Sequence, residues 1–326
     1  MKPTAKEVAH IAGVSIAAVS RAFTPGASLD TGKRKRILAA AEEIGYTSPA
    51  RRTAEAIAAG TVTLLAGDLL NPFYPVVLDT LAKHLQLCGK QLLVYALPAA
   101  MDVDTSLVQI LASRPSALIV TSAYLTSNVA RTCRQHQIKI VLLNRVQRDI
   151  KINSVACDNY AGGRDAASLL LAKGHQRIGF LGGVINTSTH MERARGFRDV
   201  LGEANISLCV QAIGNFNYKD AYVATLDILS SPQPPSALFC CNDIMALAAI
   251  DAAREKGAGV PEDLAIIGFD DIPMASWNAY KLTTVRQPIE RMVREALDII
   301  EDSSIRPQDD GATRLLPGTM ISRASA

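Results

Sequence analysis

Arg21 has the most specific chemistry open to it of any side chain near the start of this 326-residue chain. A guanidinium on the outer side of a short helix can fork two hydrogen bonds onto the O6 and N7 edge of guanine. Ile16 and Ala17 share that side; they can touch a thymine methyl but cannot make bidentate hydrogen bonds. Thr4, Ser15, Ser20 and Thr24 are further candidates for DNA contact, and Lys33 opens the basic run Lys33-Arg34-Lys35-Arg36, suited to phosphate. A second set of residues carries different chemistry. Asp68, Asn71, Phe73, Tyr74, Ser122, Arg145, Arg193, Phe216, Asn242 and Asp270 all follow apolar runs. Their carboxylates and amides can divide the donors and acceptors of a polyol, Phe216 offers a flat face to a sugar ring, and Arg145 and Arg193 can fork onto a carboxylate or a hydroxyl pair.

The elements that position the first set are legible. Thr4 with Glu7 forms a capping box, Val8, Ile11 and Ala12 recur at helical spacing, Gly13 can end the helix in the left-handed region, and Ser15 can cap the next one. Packing is expected from Val14, Ala18 and Val19 on the second helix, and from the stripe Ile37, Leu38, Ala41 and Ile44 on a third, Thr31 to Ile44. This is the layout of a helix-turn-helix with its reading helix second. Charge agrees: up to Gly60 there are nine Lys and Arg against five Asp and Glu, a net of +4, while the remainder carries 25 against 26.

After Gly60, short apolar runs alternate with helical segments. Strands are predicted at 61–66, 91–96, 117–121 and 138–143, and again at 177–181, 209–213, 237–241 and 264–268. The fold class expected is α/β: an N-terminal all-α helix-turn-helix headpiece followed by two doubly wound parallel sheets, whose facing strand ends leave a cleft for a small molecule. Residues 1–47 form the headpiece, 48–60 a hinge or linker, and 61–326 the body. One lobe takes about 61–158 and 289–312, the other about 159–288 and 313–326.

The ordered pattern Thr4, Val8-Ala9, Ala12-Gly13-Val14-Ser15, Val19-Ser20-Arg21, Arg36-Ile37-Leu38 and Gly45-Tyr46 resembles the headpiece of the LacI/GalR family of bacterial transcription regulators. Later markers extend the resemblance over essentially the whole chain: Asn71-Pro72-Phe73-Tyr74, Asp158-Asn159, Gly174-His175, Arg195-Gly196-Phe197, Asn242-Asp243, Gly268-Phe269-Asp270-Asp271 and Leu282 to Pro288. It implies a periplasmic-binding-protein-like body crossed by the chain near Asn159, Gln287 and the C-terminus, a homodimer, and an effector pocket lined by Arg193, Phe216, Asn242 and Asp270. It also implies a hinge helix that drives an apolar wedge, here Ile57, into the minor groove, with Arg51 and Arg52 beside it. The hinge departs from the family pattern: it is two residues longer, and Ala50 and Glu55 stand where asparagine and arginine are common.

Other classes fare worse. There is no Gly-x-Ser-x-Gly elbow, phosphate loop or paired-histidine metal motif, and neither a metal nor a cofactor is expected. His175 reads as a structural turn histidine, Gly179 to Gly183 as a turn that lets a cleft ligand approach, and the six cysteines as buried free thiols. The start of the chain shows no apolar signal segment, and no apolar run reaches the length of a bilayer span, so a cytoplasmic protein without membrane contact is expected. The reading is a ligand-responsive DNA-binding regulator, most readily a repressor. Its expected partners are near-palindromic operator DNA, a second copy of the chain and a small effector such as a sugar or sugar acid. A periplasmic solute-binding protein or a sugar-modifying enzyme are the alternatives.

Overall fold

The computed structural model describes residues 3–24, 26–48, 60–97, 103–121 and 125–326. Its first three helices are α1 (Ala5–Ala12), α2 (Ile16–Ala22) and α3 (Thr31–Glu43). The capping box is formed: the Thr4 hydroxyl accepts from the Glu7 N–H at 3.3 Å, and the Glu7 carboxylate accepts from the Thr4 N–H at 2.7 Å. Gly13 ends α1 at φ +64°, and Ser15 and Asp30 cap α2 and α3 through the N–H groups of Ala18 and Lys33. Val8, Val19 and Ile37 are fully buried between the three helices. Ile11 and Leu38, expected to pack, are instead 47% and 41% exposed. The inward stripes run through Val8, Ala9 and Ala12 and through Ile37, Ala40 and Ala41; small residues let three short helices approach closely, and the larger ones fall on the rim. Arg34 turns away from the basic run, donating to the carbonyls of Ala22 at 3.2 Å and Ala27 at 2.7 Å, so it ties α3 to the end of α2.

The body holds two six-stranded sheets. In the first, β1 (Thr61–Ala66), β2 (Gln91–Ala96), β3 (Ala117–Val120), β4 (Lys139–Leu143), β5 (Asn153–Cys157) and β11 (Thr313–Leu316) are all parallel, in the order β11-β5-β4-β3-β1-β2. In the second, β6 (Ile178–Gly182), β7 (Val210–Ile213), β8 (Ala237–Cys240), β9 (Ala265–Asp270) and β10 (Thr283–Arg286) are parallel and β12 (Thr319–Ile321) closes the edge antiparallel, in the order β12-β10-β9-β8-β6-β7. The chain passes between the sheets after Cys157, after Arg286 and between Leu316 and Thr319. Residues 313–316 therefore belong with the first lobe, not the second: they pair with Asn153–Cys157, and the crossing waits for Pro317-Gly318, where a strand cannot continue.

Helices cover the sheets. Those used below are α4 (Phe73–Leu87), α7 (Asn159–Ala172), α8 (Ser188–Glu203), α9 (Tyr218–Leu229), α10 (Asp243–Glu255) and α11 (Ile289–Glu301), with α5 (Val103–Ala112) and α6 (Ser127–Gln135) between β2 and β4. Phe180, Phe197 and Phe239 form an aromatic cluster under the second sheet, with ring centroids 4.7 to 5.9 Å apart. Helices α7 and α8 approach through glycine. A Cβ on Gly163 would lie 2.3 Å from the Arg193 carbonyl oxygen, and one on Gly196 would lie 2.1 Å from that of Tyr160. No side chain fits there, and the contact sets how deep Arg193 sits.

All six cysteines are free. Cys133, Cys157, Cys240 and Cys241 are buried as expected, but Cys88 and Cys209 are exposed, because each lies in the segment between a helix and the next strand.

Candidate functional site

On α2, Ala18, Val19 and Ala22 face the core, while Ser15, Ile16, Ala17, Ser20 and Arg21 are exposed together, as the helical spacing requires. The Arg21 Nε reaches back to the Ala17 carbonyl at 3.4 Å, and the Thr24 hydroxyl donates to the Ser20 carbonyl at 3.0 Å. Thr4 is exposed, with its hydroxyl engaged by Glu7; Lys33, Lys35 and Arg36 are exposed on α3. Arg51, Arg52 and Ile57 lie outside the described residues, as does Ser122.

The second site forms where the strands of the two sheets end. Arg193, only 2% exposed, is the most deeply buried arginine or lysine among the described residues. Its Nε donates to Asn159 Oδ1 at 2.8 Å, Nη1 to the Cys241 carbonyl at 2.5 Å, and Nη2 lies 3.3 Å from Asp270 Oδ1. Its guanidinium carbon sits 3.5 Å from the centre of the Phe269 ring, a cation–π contact shielded from water. Arg193 pairs with neither Glu192 nor Asp199, the acidic residues beside it on α8. Asp270, 4% exposed, also accepts from Gln287 Nε2 at 2.7 Å. Burial raises its carboxyl above the ordinary range, against the pull of Arg193 and the Gln287 hydrogen bond. Asp243 lies behind it, fully buried, accepting from the Thr284 hydroxyl at 2.5 Å and the Ile272 N–H at 2.8 Å. Burial, then the neighbouring Asp270, raises that carboxyl too.

Asn242 caps α10 by accepting from the Met245 N–H at 3.2 Å, and its Nδ2 is buried without a partner. Phe216, half-buried, lies over Gly183, where a Cβ would meet its ring at 2.1 Å. Gly179–Gly183, expected as a turn, are instead the strand β6 and its end, and Gly182 and Gly183 make room for the protein's own rings, those of His190 and Phe216. His175 is a turn residue, its Nδ1 3.0 Å from the Ser236 hydroxyl.

Across the cleft, Arg145 Nη1 donates to the Thr189 hydroxyl at 2.5 Å and Nη2 to the Tyr74 hydroxyl at 3.5 Å, with Phe216 5.9 Å below. The Val146 N–H donates to Ser188 Oγ at 3.1 Å, so one loop of the first lobe is tied to the start of α8 in the second. Asp68 is exposed, and its carboxylate accepts the N–H groups of Leu70 and Asn71, making it a turn former; Asn71, buried, accepts from the Phe73 N–H at 3.1 Å. Phe73 is in the core of its lobe, its ring edge-on to Tyr74 at 5.3 Å.

Sequence reasoning missed Asn159, Thr189, Asp243 and Gln287 as site residues. The pairs Asp158-Asn159 and Asn242-Asp243 were visible as markers, but nothing local says that Asn159 orients an arginine 34 residues away. Asn144, Phe216, Asp270 and Asp271 all have positive φ, at 64°, 58°, 119° and 55°. Such backbone is costly away from glycine and clusters where side chains must be aimed. Four buried polar atoms at this level have no partner among the described residues: Asn144 Oδ1, Arg145 Nε, Asn242 Nδ2 and Gln287 Oε1. They comprise two acceptors and two donors.

An exposed reading helix on a small headpiece, joined to two lobes that face each other across a polar cleft, defines a class: the DNA-binding transcriptional regulator that carries its own ligand-binding body. The family model for bacterial regulatory proteins of the lacI family matches residues 4–48, and that for a periplasmic binding protein-like domain matches 167–326. The chain belongs to the LacI family. It is 30% identical over 304 residues to the HTH-type transcriptional regulator DegA of Bacillus subtilis (strain 168), covering 90% of this chain and 89% of that one. It is 28% identical over 330 residues to the HTH-type transcriptional repressor CytR of Escherichia coli (strain K12), covering 99% and 96%. Among solved structures, the transcriptional regulator CelR in complex with cellobiose matches with a TM-score of 0.73 and 26% identity over the full length of both chains. Among the described residues no helix is long and apolar enough to cross a membrane, and no group of three or more His, Cys, Asp and Glu is placed to hold a metal ion.

Proposed function

We propose that this chain is a repressor whose paired headpieces hold a near-palindromic operator as a homodimer, and whose cleft takes a small hydroxylated effector that shifts the balance between two poses of the lobes. The observation that carries the effector half is the ring of unpartnered buried atoms, Asn144 Oδ1, Arg145 Nε, Asn242 Nδ2 and Gln287 Oε1, around the Arg193–Asp270 pair. A buried donor or acceptor without a partner costs about 1–3 kcal/mol, so a ligand supplying both kinds of group recovers several such costs at once. Relatives that include a cellobiose-bound regulator support a carbohydrate-like effector. Tyr74, Asn144, Arg145, Phe216, Asn242 and Asp270 would contact it, and Ser15, Ile16, Ala17, Ser20 and Arg21 would face the major groove.

Coupling needs only differential affinity: an effector that prefers one lobe pose shifts the population toward it, and the spacing of the two headpieces follows. The contacts of Arg145 and Val146 with Thr189 and Ser188 mark where the two poses would differ.

A thermal-shift screen against sugars, sugar acids, polyols, their phosphates and nucleosides tests this. A ligand at a hundred times its Kd adds about 2.7 kcal/mol of stability, and that gain is expected to vanish in Asp270→Asn. A ligand whose effect survives that change would place binding elsewhere, against this reading.

A further inference from the structure

The charges of the cleft do not balance, and the imbalance lies on one residue. Arg193 is neutralised by Asp270 at 3.3 Å and has a partner at every nitrogen. Asp68 is spent on the Leu70 and Asn71 N–H groups and is exposed to solvent. Glu192, the nearest acidic side chain along α8, is taken by Arg148 and Arg195. Arg145 is left with two neutral hydroxyls, those of Thr189 and Tyr74, and among the described residues no carboxylate lies within ion-pairing distance of it. Its Nε is buried and makes no hydrogen bond. Nη1, which points away from Nε, is the nitrogen held by Thr189 at 2.5 Å. The opposite edge, Nε with Nη2, is engaged only by the 3.5 Å contact of Nη2 to the Tyr74 hydroxyl. That edge presents two parallel N–H groups, the geometry that matches a carboxylate side-on.

We infer that the effector of this cleft carries a single carboxylate, received by the Nε and Nη2 edge of Arg145 with the Tyr74 hydroxyl donating beside it, so that the effector is an acidic sugar such as a uronic or aldonic acid. This rests on the cleft being the effector site, as proposed above. One negative charge balances the one uncompensated guanidinium; a phosphate, carrying close to two, would leave an excess next to Asp270. The remaining hydroxyls meet Asn144, Asn242 and Gln287, which supply both donors and acceptors. Arg145 is covered in this structure, so the ligand enters as the bonds to Thr189 and Ser188 part and the lobes separate.

Isothermal titration of the full-length protein with matched probes decides the point: D-galactose against D-galacturonate, D-glucose against D-glucuronate and D-gluconate, with glucose 6-phosphate as the phosphate arm. At least one acid is expected to bind ten to a hundred times more tightly than its neutral parent, the range that a hydrogen-bonded charge pair supplies. Arg145→Met is expected to bring that acid down to the level of the parent, and Arg145→Lys, which keeps the charge but loses the fork, to keep part of the preference. Thermal melts without ligand check that both variants fold. A neutral sugar or the phosphate binding more tightly than every acid overturns the inference and leaves the cleft as the effector site, as does an acid preference that survives in Arg145→Met. Binding of no probe overturns both.

Discussion

Arg193→Met is expected to lower stability at neutral pH by about 3–5 kcal/mol, the usual cost of removing one partner of a buried ion pair. The methionine fills much of the volume over Phe269, so packing loss is secondary. What remains is the Asp270 carboxylate, 4% exposed, with Gln287 as its one donor and Asp243 behind it. The Asn159 and Cys241 oxygens also lose their donor. Burial already raises the Asp270 carboxyl, and removing Arg193 takes away the largest opposing effect. A carboxyl raised in the folded state contributes stability that is present below its unfolded pKa, about 3.9, and is lost as pH rises through the folded value. The deficit of the variant should therefore be largest at pH 7 and shrink toward pH 4. Asp270→Asn added to Arg193→Met should restore part of the loss at pH 7, since it removes the stranded charge. Urea unfolding followed through Trp277, the one tryptophan of the chain and part of the second lobe, reads this directly. A loss under 1 kcal/mol at pH 7, or a deficit that widens on acidification, would contradict the account.

Arg21→Ala is expected to cost about 1–3 kcal/mol of specific DNA binding and to relax the base preference at one position of each half-site. The reason lies in what its neighbours lack. Ile16 and Ala17 are exposed but carry no side-chain donor, Ser20 adds one short hydroxyl, and the Thr24 hydroxyl is turned back to the helix. Arg21 is therefore the one long donor on the outer face of α2, and its contact to the Ala17 carbonyl, at 3.4 Å in a solvated setting, is cheap to give up. Non-specific affinity, set by phosphate neutralisation through residues such as Lys33, Lys35 and Arg36, should change little. Selection of sites from a random duplex pool, with wild type and variant in parallel, shows whether one base position loses its preference. An identical selected sequence would remove Arg21 from base reading.

Much of this was legible because its signals are local. Thr4 with Glu7, Gly13 and Ser15 lie within a dozen residues and each fixes a backbone donor or a φ, so the headpiece could be read almost to the residue. Eight strands announced themselves as apolar runs. Asn153–Cys157 and Thr283–Arg286 did not, because they bury hydroxyls: Ser154, Thr283 and Thr284 are wholly inside, paired to backbone oxygens or to Asp243. By sequence the segment from Arg314 to Ile321 is a single strand-like run, yet it serves two sheets, a choice made by pairing partners and not by its own sequence. In the cleft, the residue types were visible and their pairing was not. Arg193 could have met Glu192 or Asp199; that it meets Asp270 follows from the glycine contact between α7 and α8, which draws it inward. Asp68 and Phe73 show the converse, since a turn cap and a core ring look like ligand contacts when only their position after a strand is known.

Occupancy of the cleft and binding of DNA are expected to be coupled in one chain. The most direct test of this coupling is fluorescence anisotropy of a labelled duplex, chosen by site selection, titrated with the protein at increasing concentrations of the acid that binds best. DNA affinity is expected to change fivefold or more, the low end of common allosteric coupling, with the change half-complete near the ligand's own Kd and matched by an equal change in ligand affinity when DNA is present. DNA affinity that stays constant up to saturating ligand, with binding to the cleft verified in the same sample, would contradict the coupling.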